Sequence, residues 1–168
     1  MALPKILRNF SLYVDGIGYA GKVTEATPPT LTIKTEEFRA GGMDAPAEID
    51  MGMEPLNMSF TLAEYDPAVL RQFGLLDQNA VQVALRGAMV DNGTAATSIV
   101  VNGTGHIKES DPGSFTAGDN TEAQFTMGLR YYKMTIGGDV IHEIDVENMV
   151  RIINGEDQLA SIRTAIGI

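Results

Sequence analysis

The side chains able to do chemistry are few and widely spaced. His106 and His142 are the only two histidines, and the chain has no cysteine. A transition-metal centre needs three or four such groups converging on one point. In His142-Glu143-Ile144-Asp145 a strand-like alternation sends His142 and Ile144 to one face and both acids to the other, which leaves no close ligand set. Asp44, Asp50 and Glu54 are candidates for the paired carboxylates of a glycosidase. Such enzymes usually add aromatic sugar platforms, and the chain has no tryptophan. No serine sits in a G-x-S-x-G elbow. Gly16, Gly18 and Gly21 satisfy G-x-G-x-x-G, but a dinucleotide site needs a helix to open directly after the glycines. Lys22-Val23-Thr24 reads instead as strand, and Pro28-Pro29 blocks a helix. The expectation is a protein with no catalytic residues, no cofactor and no metal.

Composition points the same way. The 168 residues suffice for one domain, with 44% hydrophobic and 20% charged residues. Without cysteine there is neither a disulfide framework nor a thiolate site. The start, Met1-Ala2-Leu3-Pro4-Lys5, has no apolar run of signal-peptide length and nothing downstream is long enough to span a membrane. Folding in a cytoplasm, with no membrane anchor, is expected. Twelve basic against 22 acidic residues give a net charge of −10. That surface opposes non-specific nucleic-acid binding, which depends on Lys and Arg displacing counterions.

The elements read mainly as strands. Asp15-Gly16 marks a hairpin after Leu12-Tyr13-Val14. Period-two alternation appears in Leu31 to Phe38 (Leu31 and Ile33), in Asn57 to Glu64 (Met58, Phe60, Leu62) and in Ala80 to Met89 (Val81, Val83, Leu85). It is clearest in Thr121 to Tyr132. There Ala123, Phe125, Met127, Leu129 and Tyr131 point one way, and Glu122, Gln124, Thr126, Arg130 and Tyr132 the other. Asn92-Gly93, Asn102-Gly103 and Gly137-Gly138 read as turns, and Glu109 to Asn120 as a surface loop. Asp66-Pro67 opens a short helix with Leu70 and Phe73 inward and Gly74 at its end. A second helix is expected from about Glu156 to Ile166, with Leu159, Ile162 and Ile166 on one face.

Between two of these strands lies the least ordinary stretch, Thr35 to Met53. Its centre, Ala40 to Pro46, is too polar for core and too apolar for an idle loop. Met43, Met51 and Met53 suit an adaptable contact surface. On residue types alone it reads either as an interaction loop or as a flexible hairpin tip.

The wording of this stretch, TEEFRAGGMDAPAEIDMGME, closely resembles the major tail tube protein of contractile-tailed phages and of the related R-type bacteriocins. The resemblance covers the whole chain: LRNFSLYVDGIGYAG near the start, AEYDP in the middle, then RYYKM and HEIDVENMVRIINGEDQLASIR. It implies a mainly β fold, a barrel or sandwich of two packed antiparallel sheets with one or two short helices, similar to the type VI secretion tube protein. Residues 1–168 would form a single tail tube domain with a long protruding inter-subunit loop at about 36–53.

The implied function is structural. Copies form hexameric rings, and the rings stack into the inner tube of a contractile tail, a channel for genome delivery. A bacteriocin tube is the alternative, and a monomeric β-sandwich binding module, with Tyr65 and Tyr132 as exposed aromatics, a more distant one. Carried onto this sequence, the ring-stacking contacts fall on Glu37, Arg39, Met43, Asp44, Asp50, Met51 and Met53, and the candidate bore-facing residues are Glu122, Gln124, Thr126 and Arg130. Implied partners are further copies of the chain, the tail sheath, tape-measure, baseplate and tail terminator proteins, and DNA passing without specific binding. The implied location is the virion tail, assembled in the bacterial host cytoplasm.

Overall fold

The computed structural model describes residues 4–77, 81–91 and 95–168. The Asn92-Gly93 turn, Ala80 and Met1 to Leu3 lie outside the described residues. In chain order the elements are β1 (Ile6–Val14), β2 (Ile17–Gly18), β3 (Val23–Thr27), β4 (Ile33–Phe38), β5 (Ala47–Met53), β6 (Leu56–Leu62), α1 (Pro67–Leu70), β7 (Val81–Val90), β8 (Ala96–Asp111), β9 (Ala123–Ile136), β10 (Asp139–Asp145), β11 (Val150–Ile153), β12 (Glu156–Asp157) and α2 (Ala160–Ile166). Every named strand pairing is antiparallel. Ten strands form one sheet, ordered β12-β11-β10-β9-β8-β7-β1-β2, with β6 also on β9 and β3 on β6. β4 and β5 form a separate two-stranded sheet.

The first turn follows its sequence. Asp15 (φ 47°) and Gly16 (φ 80°) both take positive φ, which matches the twist of the strands they join and is cheap for Asp-Gly. The Asp15 carboxylate then accepts from the Gln82 amide at 2.9 Å and ties this turn to β7. Val23–Thr27 follows the glycines as strand, as the prolines after it require.

The core lies inside the bent ten-stranded sheet. Leu56, Met58, Phe60 and Leu62 alternate inward from β6, facing Ala123, Phe125, Met127 and Leu129 of β9 in direct register. Phe60 and Phe125 stack at 5.3 Å between ring centroids. Such a pair adds about 1 kcal/mol beyond the area it buries.

Arg130 is the corner. Up to Leu129, β9 lies between β8 and β6; from Tyr131 onward it lies between β8 and β10. Thr104 pairs with Tyr131 and Gly105 with Leu129, so Arg130 is an extra residue with no partner on β8. A bulge of this kind bends its strand and shifts the side-chain alternation by one. Tyr132, not Tyr131, is therefore core, with 1% of its surface exposed. The expectation that Tyr131 points inward and Tyr132 outward is corrected here. Tyr132 is no aromatic platform for a glycan, and the Tyr65 hydroxyl is spent on the Pro112 carbonyl at 2.7 Å.

Other boundaries also move. Asn102-Gly103 is not a turn: both lie inside β8, opposite Lys133 and Tyr132. Close packing of β8 on β9 favours glycine in this strand. A Cβ on Gly103 would sit 3.1 Å from Leu129, and one on Gly105 only 2.0 Å from the Gly128 carbonyl oxygen. The strand expected from Asn57 starts one residue earlier and ends at Leu62, and it is separate from β5 because Pro55 has no N–H to donate and breaks the ladder between them. The expected 109–120 loop begins only after Asp111, the last residue of β8. β4 starts only at Ile33 and all six of its residues are exposed, so Ile33 forms no buried face, while Leu31, just before the strand, packs against the core as expected.

α1 starts as its sequence demands, with the Asp66 carboxylate accepting from Ala68 N at 2.7 Å and Pro67 in the first turn. It is a single turn, so Val69 fills the core while Phe73 lies beyond the helix, half exposed. α2 begins at Ala160 rather than Glu156, because Glu156 and Asp157 pair with Ile153 and Ile152 as β12. No residue of α2 is buried. Among the described residues no helix is long and apolar enough to cross a membrane, and no three His, Asp or Glu side chains gather as a metal site would require.

Candidate assembly interface

The stretch singled out by its composition forms a β-hairpin. In β4–β5, Phe38 pairs with Ala47, Glu37 with Glu48, Glu36 with Ile49 and Thr35 with Asp50. Directly opposed residues share a face, so the two faces differ in chemistry. One carries Thr35, Glu37, Glu48 and Asp50; the other carries Glu36, Phe38, Ala47, Ile49 and Met51. The opposed Glu37 and Glu48 repel each other. On the second face Phe38, Ile49 and Met51 are 54%, 47% and 52% exposed. A two-stranded ribbon with no core of its own is marginal in water.

The tip closes on itself. Met43 N donates to the Ala40 carbonyl at 3.2 Å, Arg39 Nε to the Met43 carbonyl at 3.3 Å, and Ala40 N to the Met43 sulfur at 3.3 Å. Arg39 and Met43 thus brace the turn, while Asp44 stays exposed beside them. The base is fixed differently. Asp50 accepts from Gly52 N at 2.7 Å and from Arg151 Nη2 at 3.2 Å. The Gly52 N–H and then the Arg151 guanidinium hold its carboxyl below the usual carboxylate range. Met53 packs on the core edge, and Glu54 N donates to Thr32 O at 2.9 Å.

The seven candidate contact residues therefore occupy three places: Arg39, Met43 and Asp44 at the tip, Glu37 and Met51 on opposite faces, Asp50 and Met53 at the base. The sequence reading missed Phe38 and Ile49, although the period-two spacing of Ala47, Ile49 and Met51 carries the signal. It also missed Arg151, whose partner is too distant in sequence for any spacing rule.

Beneath the hairpin base lies a groove of about 610 Å³. Met53, Leu56, Ile144 and Val146 form one wall, and Leu159 and Ile162 the other. Asp157 braces its far side, accepting from Leu159 N at 3.0 Å and from Arg163 Nη2 at 2.5 Å. The Arg163 contact, with the Leu159 N–H behind it, holds the Asp157 carboxyl below its usual range.

The four candidate bore residues do not form one group. Glu122 and Gln124 line a polar hollow of about 530 Å³ with Glu25, Asp111 and Asp119. Thr126, opposite Ser59 and Glu109, continues that surface. Arg130, on the bulge, turns to Glu147. Past the bulge the same face is continued by Tyr131 and Lys133, both reaching Glu143, at 2.8 Å and 3.7 Å.

A bent antiparallel sheet with a detached hairpin defines a class. The fold is that of the tubes and caps of contractile injection systems. It matches the sheath/tube terminator of an extracellular contractile injection system, PVC, in its extended state, with a TM-score of 0.61 at 13% identity over 79% of this chain and 97% of that one. The tube-terminating cap of the anti-feeding prophage matches with a TM-score of 0.61 at 12% identity over 80% and 94%. The sequence goes further, since residues 4–167 match the family model for phage tail tube protein FII. The chain belongs to the phage tail tube protein FII family. It is 30% identical to the tail tube protein of Escherichia phage P2 over all of both chains. It is also 31% identical to the major tail tube protein of Serratia phage KSP20, over 94% of this chain and 92% of that one. This is a structural component of a virion tail.

Proposed function

We propose that this protein self-assembles into hexameric rings that stack into the inner tube of a contractile tail, with the β4–β5 hairpin carrying contacts between subunits. One observation carries the reading. The hairpin keeps strand geometry while every residue of β4 is exposed and its apolar face has no core to cover. Such a ribbon gains its packing from another molecule. Ring closure has a second basis: β1 pairs with β7 along its length but with β2 only at Tyr13 and Val14, which leaves an edge that a neighbouring subunit can satisfy. Head-to-tail stacking then gives a filament that does not close.

The tube forms in the host cytoplasm inside a sheath and joins a baseplate at one end and a terminator at the other. The sheath-tube and terminator complexes in which this fold is found support those partners. A tape-measure protein sets its length. The channel lets DNA pass without holding it. Support comes from the net charge of −10 and from the surface of Glu122, Gln124 and Thr126, which adjoins Glu25, Glu109 and Asp111, while the nearby Lys108 is held on Asn57 at 2.6 Å.

Negative-stain electron microscopy of the purified protein over a range of concentrations tests the assembly. Rings or tubes with a central hole are expected. A monomer that persists at all concentrations, even when seeded with preformed tube ends, would overturn the reading.

A further inference from the structure

We infer that the apolar face of the hairpin seats in the groove between α2 and the β6–β10 wall of a second copy of the chain. This rests on the reading of the hairpin as an assembly element and adds the surface that receives it.

Both surfaces leave apolar side chains exposed within one chain. The hairpin face offers Phe38, Ile49 and Met51, each about half exposed. The groove offers Val146 and Ile162, 57% and 48% exposed, with Leu159 at its rim, over a floor of the buried core residues Leu56 and Ile144. α2 buries no residue, so Leu159 and Ile162 at the groove rim account for its apolar side better than the core does. The chain's own hairpin does not fill the groove. Gly52 and Met53 form its edge, and in the chain that owns both surfaces the three hairpin side chains stay half exposed.

The charges also match. Beside the apolar residues the hairpin face carries Lys34 and Glu36, one of each sign. The groove carries Arg151, whose Nη2 already holds Asp50, together with Glu54 and Asp145, so its acidic groups outnumber its one base. Arg151 Nε is buried without a hydrogen-bond partner among the described residues, and Glu36 brings an acceptor to it. Glu54 and Asp145 in turn receive Lys34. Because projection and receptor lie at different places on one chain, the contact is heterologous. Each docked copy then presents a fresh hairpin and a fresh groove, so growth continues.

The absence of cysteine makes the test direct. Ile49→Cys and Ile162→Cys are made as separate full-length proteins, mixed and mildly oxidised, and the disulfide products are identified by mass spectrometry. Disulfides joining the two variants are expected to dominate over those formed by either alone. Ile162→Glu, at an exposed helix position, is expected to keep the circular dichroism of the parent and lose pelletable assemblies. Absence of the mixed disulfide, or undiminished assembly by Ile162→Glu, overturns the groove. A variant lacking residues 40–46 separates the two ideas. If it fails to assemble while the mixed disulfide is absent, the groove is wrong and the hairpin reading stands. If it assembles normally, the hairpin reading fails and takes the groove with it.

Discussion

Asp50 and Arg151 lie 101 positions apart in the chain and 3.2 Å apart in space, and this pair ties the base of the hairpin to β11. Asp50 is the weaker-held member, with its side chain 49% exposed against 16% for Arg151. The pair orients the hairpin rather than stabilising the domain, because ion pairs this open to water add little to folding. Asp50→Asn should therefore leave the thermal midpoint almost unchanged and raise amide exchange across residues 47–53. Hydrogen exchange with mass spectrometry reads this directly; unchanged protection there means the pair does not set the hairpin.

Acid should act in the same direction as that substitution. Both Asp50 and Asp157 have folded-state pKa values below the ordinary 3.8. A depressed carboxylate contributes stability that is fully present above its unfolded value and is lost as pH falls through the folded one. Hairpin and α2 protection should hold constant from neutral pH down to the ordinary carboxylate range. It should then fall below 3.8, in step with the loss of both contacts. A loss already complete at pH 6 would point to some other group.

Gly105→Ala should be among the most damaging small changes. Its Cβ would meet the Gly128 carbonyl oxygen at 2.0 Å, and backbone on both sides has nowhere to go. Overpacking of this kind costs about 3 kcal/mol, which for a domain of this size lowers Tm by roughly 6–12 °C. Differential scanning fluorimetry against the parent protein decides it.

Phe60 and Phe38 should separate folding from assembly. Phe60→Ala removes a ring that is 1% exposed and should cost about 4 kcal/mol of stability. Phe38→Ser, at a ring 54% exposed, should change folding stability by less than about 0.5 kcal/mol and yet weaken ring or tube formation. Chemical denaturation gives the first quantity and sedimentation the second. A Phe38→Ser protein that unfolds easily would make the hairpin part of the core.

The channel chemistry has its own test. Gln124→Lys with Thr126→Lys changes a polar surface without touching the core, so assembly should persist. If that surface faces the channel, the variant tubes should retain DNA in a salt-sensitive way. Tubes that ignore DNA at low salt would place these residues elsewhere.

Much of this molecule is legible in its sequence. The alternation of Met58, Phe60 and Leu62 and of Phe125, Met127 and Leu129 fixes which faces are buried, because strand side chains alternate with a period of two. Asp15-Gly16, Gly137-Gly138 and Asp66-Pro67 mark two turns and a helix start through backbone preferences that act over a few residues. The tertiary structure alone decides three things. It places the bulge at Arg130, which exchanges the roles of Tyr131 and Tyr132, because a strand changes neighbours only where distant segments meet it. It makes Gly103 a strand residue instead of a turn residue, and gives Gly105 its packing role, since only the facing strand shows what a Cβ would strike. And it joins Asp50 to Arg151 and brings Leu56 and Ile162 to line one groove, placements of segments about a hundred residues apart that no local pattern encodes.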